Sequence, residues 1–313
     1  MTTDAVPAAM RANVIDAWGE EGARWLDALP SIRSAVAHEW RLDVGEPYAL
    51  SFNWVAPVRR SDGTTAVVKL GVPSSAHLEE EAEALRCFAG HGAVRLLERD
   101  ADRGALLLEH AAPGTMLRTL VPERDHEATA VIVDLLRRLH VSAPDDLRLP
   151  DVSAHRESFI AHLRDVPCEV PPVKMVERAL RLLDELCASS TQRVVVHGDL
   201  HHDNVLRAER EDWLTIDPHG AVGDPGIEIA PVLYNPDPWR RDEDLLALVP
   251  ARLERLADGL EISLERAAAW GYVGCVLSEV WDAESGQSTG GRALDIARLL
   301  EERIPKSADL MSS

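Results

Sequence analysis

The pattern of apolar residues changes once along this chain of 313 residues, at Pro113 and Gly114. Before that point, short segments rich in β-branched and aromatic residues alternate with Gly and Pro turns, the pattern of antiparallel strands. After it, apolar residues recur at helical spacing over long stretches, with one strand-rich interruption at 193–217. Strands first and helices afterwards predict an α+β protein with two segregated lobes, residues 1–110 and 111–313.

The first lobe is predicted to combine two helices with five strands. One helical pattern covers residues 7–38, and a second helix starts near His77, after Ser74 or Ser75, either of which is a suitable N-cap. Strands are expected in the segments that start at Trp40, Ser51, Thr64, Ala93 and Gly104. In the second lobe, the clearest helical patterns cover 123–140, 173–189 and 264–283.

The charge of the chain restricts its partners. It carries 33 Lys and Arg against 53 Asp and Glu, a formal charge of −20. Such a surface repels nucleic acid and anionic lipid, because binding to either needs basic residues. It would attract a small cationic ligand, but the charge alone favours the simpler interpretation of a soluble surface with a surplus of carboxylates. The first residues lack a signal-peptide pattern, and no apolar run reaches the roughly 18 residues of a membrane span. We therefore expect a cytoplasmic protein, monomeric or weakly dimeric, without nucleic acid or membrane partners.

The densest group of polar residues is HGDLHHDN at 197–204, directly after an apolar strand. A second apolar strand, at 214–216, ends in Asp217. The two strands are expected to bring Asp199, Asn204 and Asp217 to one edge. One carboxylate can orient and deprotonate an alcohol, while an amide oxygen and a second carboxylate hold Mg²⁺ against phosphates. The trio therefore predicts phosphoryl transfer.

Lys69 ends an otherwise apolar strand, and a lysine in that position needs an anionic partner. The helix that follows supplies several glutamates. Glu81 is favoured as the partner because three of its neighbours are apolar and help to turn its face inward, and Glu80 is the alternative. A lysine held by a helix glutamate can bind the α- and β-phosphates of a nucleotide as a positioned charge.

Two other interpretations compete with phosphoryl transfer. The three histidines of 197–204, together with Asp203, imitate the His/Asp cluster of a metal hydrolase, but Lys69 and Asp217 would then have no role. A binding module that has kept a kinase fold and lost its chemistry is the other interpretation. The presence of all four residues needed for the chemistry argues against such a module: Lys69, Asp199, Asn204 and Asp217.

Three motifs carry a resemblance to kinases. HGDLHHDN resembles the HxDxxxxN catalytic loop, AVVK at 66–69 resembles the strand motif VAIK, and IDPHG at 216–220 takes the place of DFG. The Gly in HGD, and the absence of a GxGxxG loop and an APE segment, point away from protein kinases and towards the aminoglycoside phosphotransferase family. Four segments resemble its branch of streptomycin 6-phosphotransferases and hydroxyurea kinases: 18–30, 51–71, 92–109 and 216–236.

The resemblance implies a two-lobed, protein-kinase-like fold, with one key helix in a β-rich N-lobe and a mainly helical C-lobe. It implies that Asp199 is the catalytic base and that Asn204 and Asp217 bind Mg²⁺. It also implies that Lys69 and Glu81 form the phosphate clamp for ATP. The remaining nucleotide contacts would come from a hinge and from a loop that covers the phosphates, through Glu109, His110, Ala111, Ser51 and Phe52.

The acceptor would lie between the catalytic loop and the C-terminal helices. The candidates nearest the chemistry are His202, Asp203 and His219. The carboxylates expected to bind cationic groups of the acceptor are Glu228, Asp237, Glu279, Asp282 and Glu284. The resemblance implies O-phosphorylation of an aminoglycoside such as streptomycin, and hence antibiotic resistance. The alternatives are a kinase of hydroxyurea, of an amino sugar or of another small metabolite.

Overall fold

A computed structural model of the protein describes residues 6–144, 147–165, 170–286 and 290–304. In its first part, two helices and five strands alternate in the order that the sequence predicts. These are α1 (Ala8–Glu39), β1 (Leu42–Val44), β2 (Trp54–Arg60), β3 (Thr65–Leu70), α2 (Ala76–Phe88), β4 (Leu96–Asp100) and β5 (Ala105–Glu109).

The five strands form one antiparallel sheet in the order β1-β2-β3-β5-β4. Strand β3 is its centre, so that Lys69 lies between Val55 of β2 and Leu106 of β5. The strand expected from Ala93 begins instead at Leu96. Ala93 forms an isolated β-bridge with Thr215, a residue of the second lobe, and is not part of the five-stranded sheet.

The two faces of the sheet belong to different apolar cores. Because successive side chains of a strand point to opposite faces, Ala105 and Leu107 join the core under α1, whereas Leu106 and Leu108 join the core of α2 and the second lobe. Burial on both faces explains why β5 is almost purely apolar. The inner face, which carries α2, is the one that positions the site.

The second part of the chain contains eight helices and five short strands within the described residues. They are β6 (Pro113–Met116), α3 (Asp125–Leu139), α4 (Arg156–Asp165), α5 (Val173–Ala188), β7 (Val194–Val196), β8 (Val205–Ala208), β9 (Trp213–Thr215), β10 (Ala221–Gly223), α6 (Ile229–Tyr234), α7 (Glu243–Ala247), α8 (Val249–Leu260), α9 (Leu264–Glu284) and α10 (Arg292–Glu301). Single turns of 3₁₀-helix cover Leu117–Leu120, Val152–His155 and Pro225–Glu228.

Helix α9 is the centre of this part. It is apolar on nearly all sides, a pattern typical of a helix enclosed by others, and it packs against α4, α5, α6, α8 and α10. Trp270 and Tyr272 are fully buried there. Its first residues, Leu264 and Glu265, and its last turn, from Trp281 to Glu284, reach the surface. Two carboxylates of the last turn, Asp282 and Glu284, are therefore accessible at the C-terminal end of α9.

The predicted α+β class, with strands first and helices afterwards, is confirmed. The hairpin β8-β9 joins β6 in a three-stranded sheet, while β7 pairs with β10. These small sheets lie at the base of the polar loop at 197–204. Among the helices described, none has the length and apolar composition needed to cross a membrane.

Candidate active site

The polar loop at 197–204 connects β7 to β8. Gly198 has a φ of +81°, a backbone conformation that L side chains rarely adopt, which explains the Gly in HGD. A turn closes the loop, with the N–H of Asn204 donating to the carbonyl of His201 at 3.0 Å. The loop thereby directs Asp199 and Asn204 out of the sheet.

Asp199 is surrounded by donors. Asn204 Nδ2 donates to its carbonyl oxygen at 3.0 Å and to Oδ2 at 3.3 Å. Two imidazoles face the same Oδ2, His201 Nε2 at 3.5 Å and His219 Nε2 at 3.9 Å. Burial opposes ionisation here, but these imidazoles outweigh it and hold the pKa of Asp199 below its ordinary value. The carboxylate is therefore ionised at neutral pH and can accept a proton.

His197 connects the loop to the strand that ends in Asp217. Its ring is buried, its Nδ1 accepts the N–H of Asp199 at 3.4 Å, and its Nε2 donates to the carbonyl of Ile216 at 3.0 Å. Burial lowers the pKa of His197 to about 4, so the ring is neutral. A neutral ring with one donor and one acceptor satisfies both contacts, which makes His197 a structural link.

Lys69 and Glu81 form the ion pair that the sequence favours, with Lys69 Nζ 2.6 Å from Glu81 Oε2. Both side chains are buried between β3 and α2. Lys69 also bonds to Asp217. Although burial opposes its charge, the two carboxylates raise the pKa of Lys69 above its ordinary value. Glu80 instead faces His77, whose Nδ1 lies 3.4 Å from Glu80 Oε2.

Asp217 lies at the end of β9 with a φ of +58°, in the left-handed region that Asp tolerates better than most residues. Burial alone would raise its pKa, but Lys69 lowers it to about 2. The N–H of Ile216 donates to the carbonyl of Asn204 at 3.0 Å, so Asn204 and Asp217 are brought side by side.

Asn204 and Asp217 fit the ligand chemistry of Mg²⁺. The amide nitrogen of Asn204 is used by Asp199, which leaves its oxygen as a ligand. The carboxylate of Asp217 is ionised and half-exposed, and only one of its oxygens is bonded to Lys69. Magnesium prefers oxygen ligands and keeps several waters, so one amide and one carboxylate are sufficient protein ligands beside a triphosphate.

The residues expected to contact nucleotide occupy the rim of the sheet. His110 Nε2 lies 3.4 Å from the hydroxyl of Tyr48, a residue that the sequence analysis did not single out. Phe52 is exposed and packs edge-on against Trp18 of α1, while the carbonyl of Ser51 accepts from α1 as well. The loop before β2 is therefore tied to α1 at one end and reaches the hinge at the other.

Within the hinge, the side chain of Glu109 is bound by other residues of the protein. Its carboxylate accepts from Arg210 at 2.7 and 2.9 Å and from the N–H of Arg95 at 3.0 Å, and its own N–H donates to the carbonyl of Arg95. The N–H of Glu109 already has a partner, so the predicted contact of the main chain at 109–111 with the adenine would use other main-chain groups of this segment. Ala111 is buried beside it.

Two carboxylates predicted to bind the acceptor are turned away from it. Glu228 is fully buried, and it accepts the main-chain N–H of His197 at 2.5 Å and that of Gly198 at 3.2 Å. Burial, opposed by these amides, raises its pKa to about 8. Glu279 is buried too, and accepts the N–H groups of Gly290 and Gly291. The prediction was wrong for both, because each carboxylate holds a piece of main chain.

His202 was also wrongly assigned to the acceptor. Its ring is fully buried, and neither nitrogen has a hydrogen-bond partner among the described residues. Burial, together with the charges of nearby arginines such as Arg252, holds its pKa well below the ordinary value. No surface of this ring remains for a ligand.

The other candidates are Asp203, Asp237, Asp282, His219 and Glu284. Arg118 bridges two of them, with Nε 3.3 Å from Asp203 and Nη2 2.8 Å from Asp237. Asp282 is partly exposed, and burial and the charge of Glu279 raise its pKa to about 6.

His219 and Glu284 are exposed, and the His219 ring packs against that of His77, with the centroids 4.9 Å apart and the planes at 42°. His77 belongs to α2, so this contact joins the two lobes beside the catalytic loop. The contact brings His219 to the side of Asp199 that faces α2.

Tyr234 is a residue that sequence reasoning missed. Its hydroxyl is hydrogen-bonded to Ser278, and burial and the charges of Asp199 and Asp282 raise its pKa well above the ordinary value. The phenol therefore lies close to both carboxylates. Its position in the segment 216–236, which resembles the same family throughout, was the only signal in the sequence.

The described residues contain no group of three or more His, Cys, Asp or Glu side chains that could hold a metal ion. His197 and His202 are buried with lowered pKa values and face different neighbours. The His/Asp cluster of a metal hydrolase is thus absent from this part of the molecule.

Comparison with known proteins agrees with this geometry. Residues 41–286 match the model of the family described as aminoglycoside/hydroxyurea antibiotic resistance kinase. The streptomycin 6-kinase of Streptomyces griseus is 36% identical over 296 residues, which cover 90% of this chain and 92% of that protein. The hydroxyurea phosphotransferase of Kitasatospora aureofaciens is 35% identical over 272 residues, 86% of this chain and 77% of its own.

The fold is that of solved kinases of this type. The amicoumacin kinase hAmiN, solved with AMP-PNP, Ca²⁺ and Ami, superposes with a TM-score of 0.59 at 16% identity, over 91% of this chain and 95% of its own. This similarity confirms the predicted two-lobed, protein-kinase-like architecture.

Proposed function

The chain belongs to the aminoglycoside/hydroxyurea antibiotic resistance kinases, and we propose that it transfers the γ-phosphoryl group of ATP to a hydroxyl of a cationic aminoglycoside such as streptomycin, with Mg²⁺ as cofactor. One observation carries the proposal. An ionised Asp199 bonded to Asn204 lies beside an Asp217 that is bonded to the buried Lys69. A base, two oxygen ligands and a phosphate clamp in one cleft are the parts that phosphoryl transfer needs.

In the proposed reaction, an acceptor hydroxyl binds against Asp199, which orients it towards the γ-phosphorus. As the new O–P bond forms and the bond to ADP breaks, the hydroxyl proton passes to the Asp199 carboxylate. Lys69, held by Glu81, binds the α- and β-phosphates and fixes the donor. Asn204 and Asp217 hold Mg²⁺, which, when bound, neutralises negative charge on the phosphates.

The carboxylates that remain near Asp199 support a cationic acceptor. Asp203 and Asp237 share Arg118, whereas Asp282 has no basic partner among the described residues and is partly exposed. Burial and the charge of Glu279 raise the pKa of Asp282 to about 6, as expected for a carboxylate without a cationic neighbour. A guanidinium or ammonium group would pair with it through a charge-assisted hydrogen bond. The formal charge of −20 attracts the same class of ligand.

Hydroxyurea is the second candidate acceptor, favoured by the 35% identity to a hydroxyurea phosphotransferase. It is small and neutral, so it would gain nothing from the charge of Asp282. The effect of Asp282→Asn on KM therefore separates the two acceptors, since only a cationic acceptor should bind less tightly to that variant.

The test is release of ADP from ATP and Mg²⁺ with a panel of streptomycin, other aminoglycosides, hydroxyurea, amino sugars and neutral sugars. We expect turnover with streptomycin that falls by roughly 10² to 10⁴ in Asp199→Asn, because the general base is lost. The control is nucleotide binding by Asp199→Asn, which should persist. Turnover equal in the two proteins would refute the proposed base. Turnover with hydroxyurea alone would show that the acceptor is hydroxyurea and not an aminoglycoside. The absence of ADP release with every panel member would refute the aminoglycoside assignment.

A further inference from the structure

Three described donor side chains approach the carboxylate of Asp199 through the same oxygen. Asn204 Nδ2, His201 Nε2 and His219 Nε2 lie 3.3, 3.5 and 3.9 Å from Oδ2. Oδ1 is therefore the oxygen left for an acceptor hydroxyl. Because the two oxygens are joined rigidly, whatever fixes Oδ2 also fixes the direction from which Oδ1 meets a ligand.

His201 differs from the other two groups in how it is held. Its side chain is only 15% exposed, and its Nδ1 accepts the main-chain N–H of Asp203 at 3.2 Å. Its carbonyl accepts the N–H of Asn204, so the residue is fixed by the same turn that places Asn204. By contrast, the side chain of His219 is half-exposed and its ring packs at an angle against His77 of the other lobe.

These contacts determine which nitrogen of a neutral His201 ring carries the proton. Burial would lower the pKa of His201, but Asp199 and Asp203 raise it above its ordinary value. In the neutral ring, which is present above that pKa, Nδ1 accepts the main-chain N–H of Asp203, so the proton lies on Nε2. Nε2 lies 3.5 Å from Asp199 Oδ2, which is longer than an ordinary hydrogen bond. Catalytic hydrogen bonds are often long without substrate and shorten when the complex forms.

We infer that His201 is a positioning residue: through its Nε2–H it holds Asp199 Oδ2, so that Oδ1 faces the acceptor hydroxyl. The inference rests on the proposed function of Asp199 as base. His201 does not touch the reacting atoms. It acts through Asp199, in the same way that a group hydrogen-bonded to a catalytic side chain fixes the orientation of that side chain.

Two substitutions test the roles of the two ring nitrogens of His201 separately. His201→Gln places an amide near the position of Nε2 and can donate to Asp199, while His201→Asn places an oxygen near Nδ1 and can accept from Asp203. We expect His201→Gln to keep kcat within about threefold, and His201→Asn to lower kcat by roughly 10- to 100-fold, because a misplaced group costs this much. KM for ATP should change little in either variant.

A purely structural role predicts the reverse order, since it needs only the acceptor for Asp203. The inference is therefore overturned if His201→Asn keeps kcat and His201→Gln loses it, or if both variants behave alike. In the Asp199→Asn background, His201→Asn should cause no further loss of kcat, because its effect passes through that carboxylate. An additional loss of the same size would also overturn it.

Two further readouts keep this test separate from the proposed function. If wild type and Asp199→Asn turn over equally, the base assignment fails, whatever His201 does. The tautomer of His201 needs no activity at all. Imidazole ¹⁵N shifts of the labelled wild-type protein at alkaline pH, assigned through the signals that Asp199→Asn moves, should show the proton on Nε2. A proton on Nδ1 would overturn the inference, even if both variants of His201 failed to fold.

Discussion

The carboxylate of Glu228 accepts the main-chain N–H of His197 at 2.5 Å, from beneath the loop that carries Asp199. Glu228 also accepts the main-chain N–H of Gly198, the residue between His197 and Asp199. A buried carboxylate with two main-chain donors fixes the path of that loop, because each donor would otherwise be buried without an acceptor. The position of the proposed base therefore depends on a residue that follows it by a full hairpin and a strand.

Glu228→Ala should lower the free energy of unfolding by about 2 to 5 kcal/mol, since two buried amides lose their acceptor. Its kcat should fall more than KM for ATP, because the loop that carries Asp199 is displaced. Glu228→Gln keeps an acceptor oxygen and should lie between Glu228→Ala and wild type in both quantities. Urea denaturation and steady-state kinetics measure them. Equal stability of wild type and Glu228→Ala would contradict this reading of the contacts.

Glu81→Gln should raise KM for ATP and lower kcat by roughly tenfold or more, because Lys69 loses the charge that fixes it against the phosphates. Glu80→Gln is the matched control. Glu80 faces His77 and lies next in sequence, so its kinetics should stay within about twofold of wild type. The reverse ranking of these two variants would show that the ion pair of Lys69 is not the one used in catalysis.

Asp217→Asn should raise the Mg²⁺ concentration needed for half-maximal nucleotide binding, by roughly tenfold or more. An ionised ligand, whose pKa Lys69 lowers to about 2, is replaced by a neutral amide. Fluorescence titration of a labelled ATP analogue at several Mg²⁺ concentrations measures the effect. Binding measured without Mg²⁺ is the control and should weaken much less. Superimposable Mg²⁺ curves would remove Asp217 from the ligand set.

Asp282→Asn should raise KM for a cationic acceptor by roughly tenfold, which corresponds to the loss of one charge-assisted hydrogen bond. KM for ATP should be unchanged. Glu284→Gln removes the same charge two residues later on α9, where the side chain is exposed, and should have little effect. Initial rates at varied acceptor and fixed ATP measure both. An equal rise in both variants would indicate a general effect of net charge instead.

His140 provides a test of acid stability away from the site. Burial lowers its pKa to about 4, whereas the unfolded value is about 6.5. Between these values the unfolded chain binds the proton and the folded protein does not. Its contribution to stability is therefore complete above about pH 6.5 and is lost as the pH falls towards 4. Removing it should make the free energy of unfolding less dependent on pH over this range, by about 2 kcal/mol.

Thermal and urea unfolding of wild type and His140→Gln at several pH values between 4 and 7 measure that difference. Only the change with pH is compared, because the substitution also alters packing. Two parallel curves would show that His140 does not titrate differently in the folded protein. His126, which lies near the start of α3, offers a control substitution, His126→Gln.

The sequence was sufficient for the parts of the site that follow from local pattern. The strand that ends in Lys69 and the strand that ends before Asp217 were visible as short apolar runs, and the loop between β7 and β8 as a dense polar group. The order of these residues along the chain specified the fold. Glu81 could be preferred over Glu80 because its neighbours on the helix are apolar.

The sequence could not tell which acidic residues a ligand reaches. Glu228, Glu279 and Asp282 look alike as residues near the catalytic loop or on the C-terminal helix. The structure turns the first two inward to main-chain amides and leaves only the third partly exposed. The direction of each carboxylate depends on elements far away in the chain, which supply the donors that make its burial tolerable.

The same reason limits what could be inferred for His202 and Tyr234. A histidine in a polar loop is expected at the surface, yet the packing of distant helices buries His202 completely. Tyr234 lies in an apolar helix, yet its hydroxyl lies close to Asp199 and Asp282. Local sequence thus determined the lobes, the strands and the identity of the proposed catalytic groups. Tertiary packing alone decided which polar groups remain accessible, because burial and hydrogen-bond partners come from residues distant in sequence.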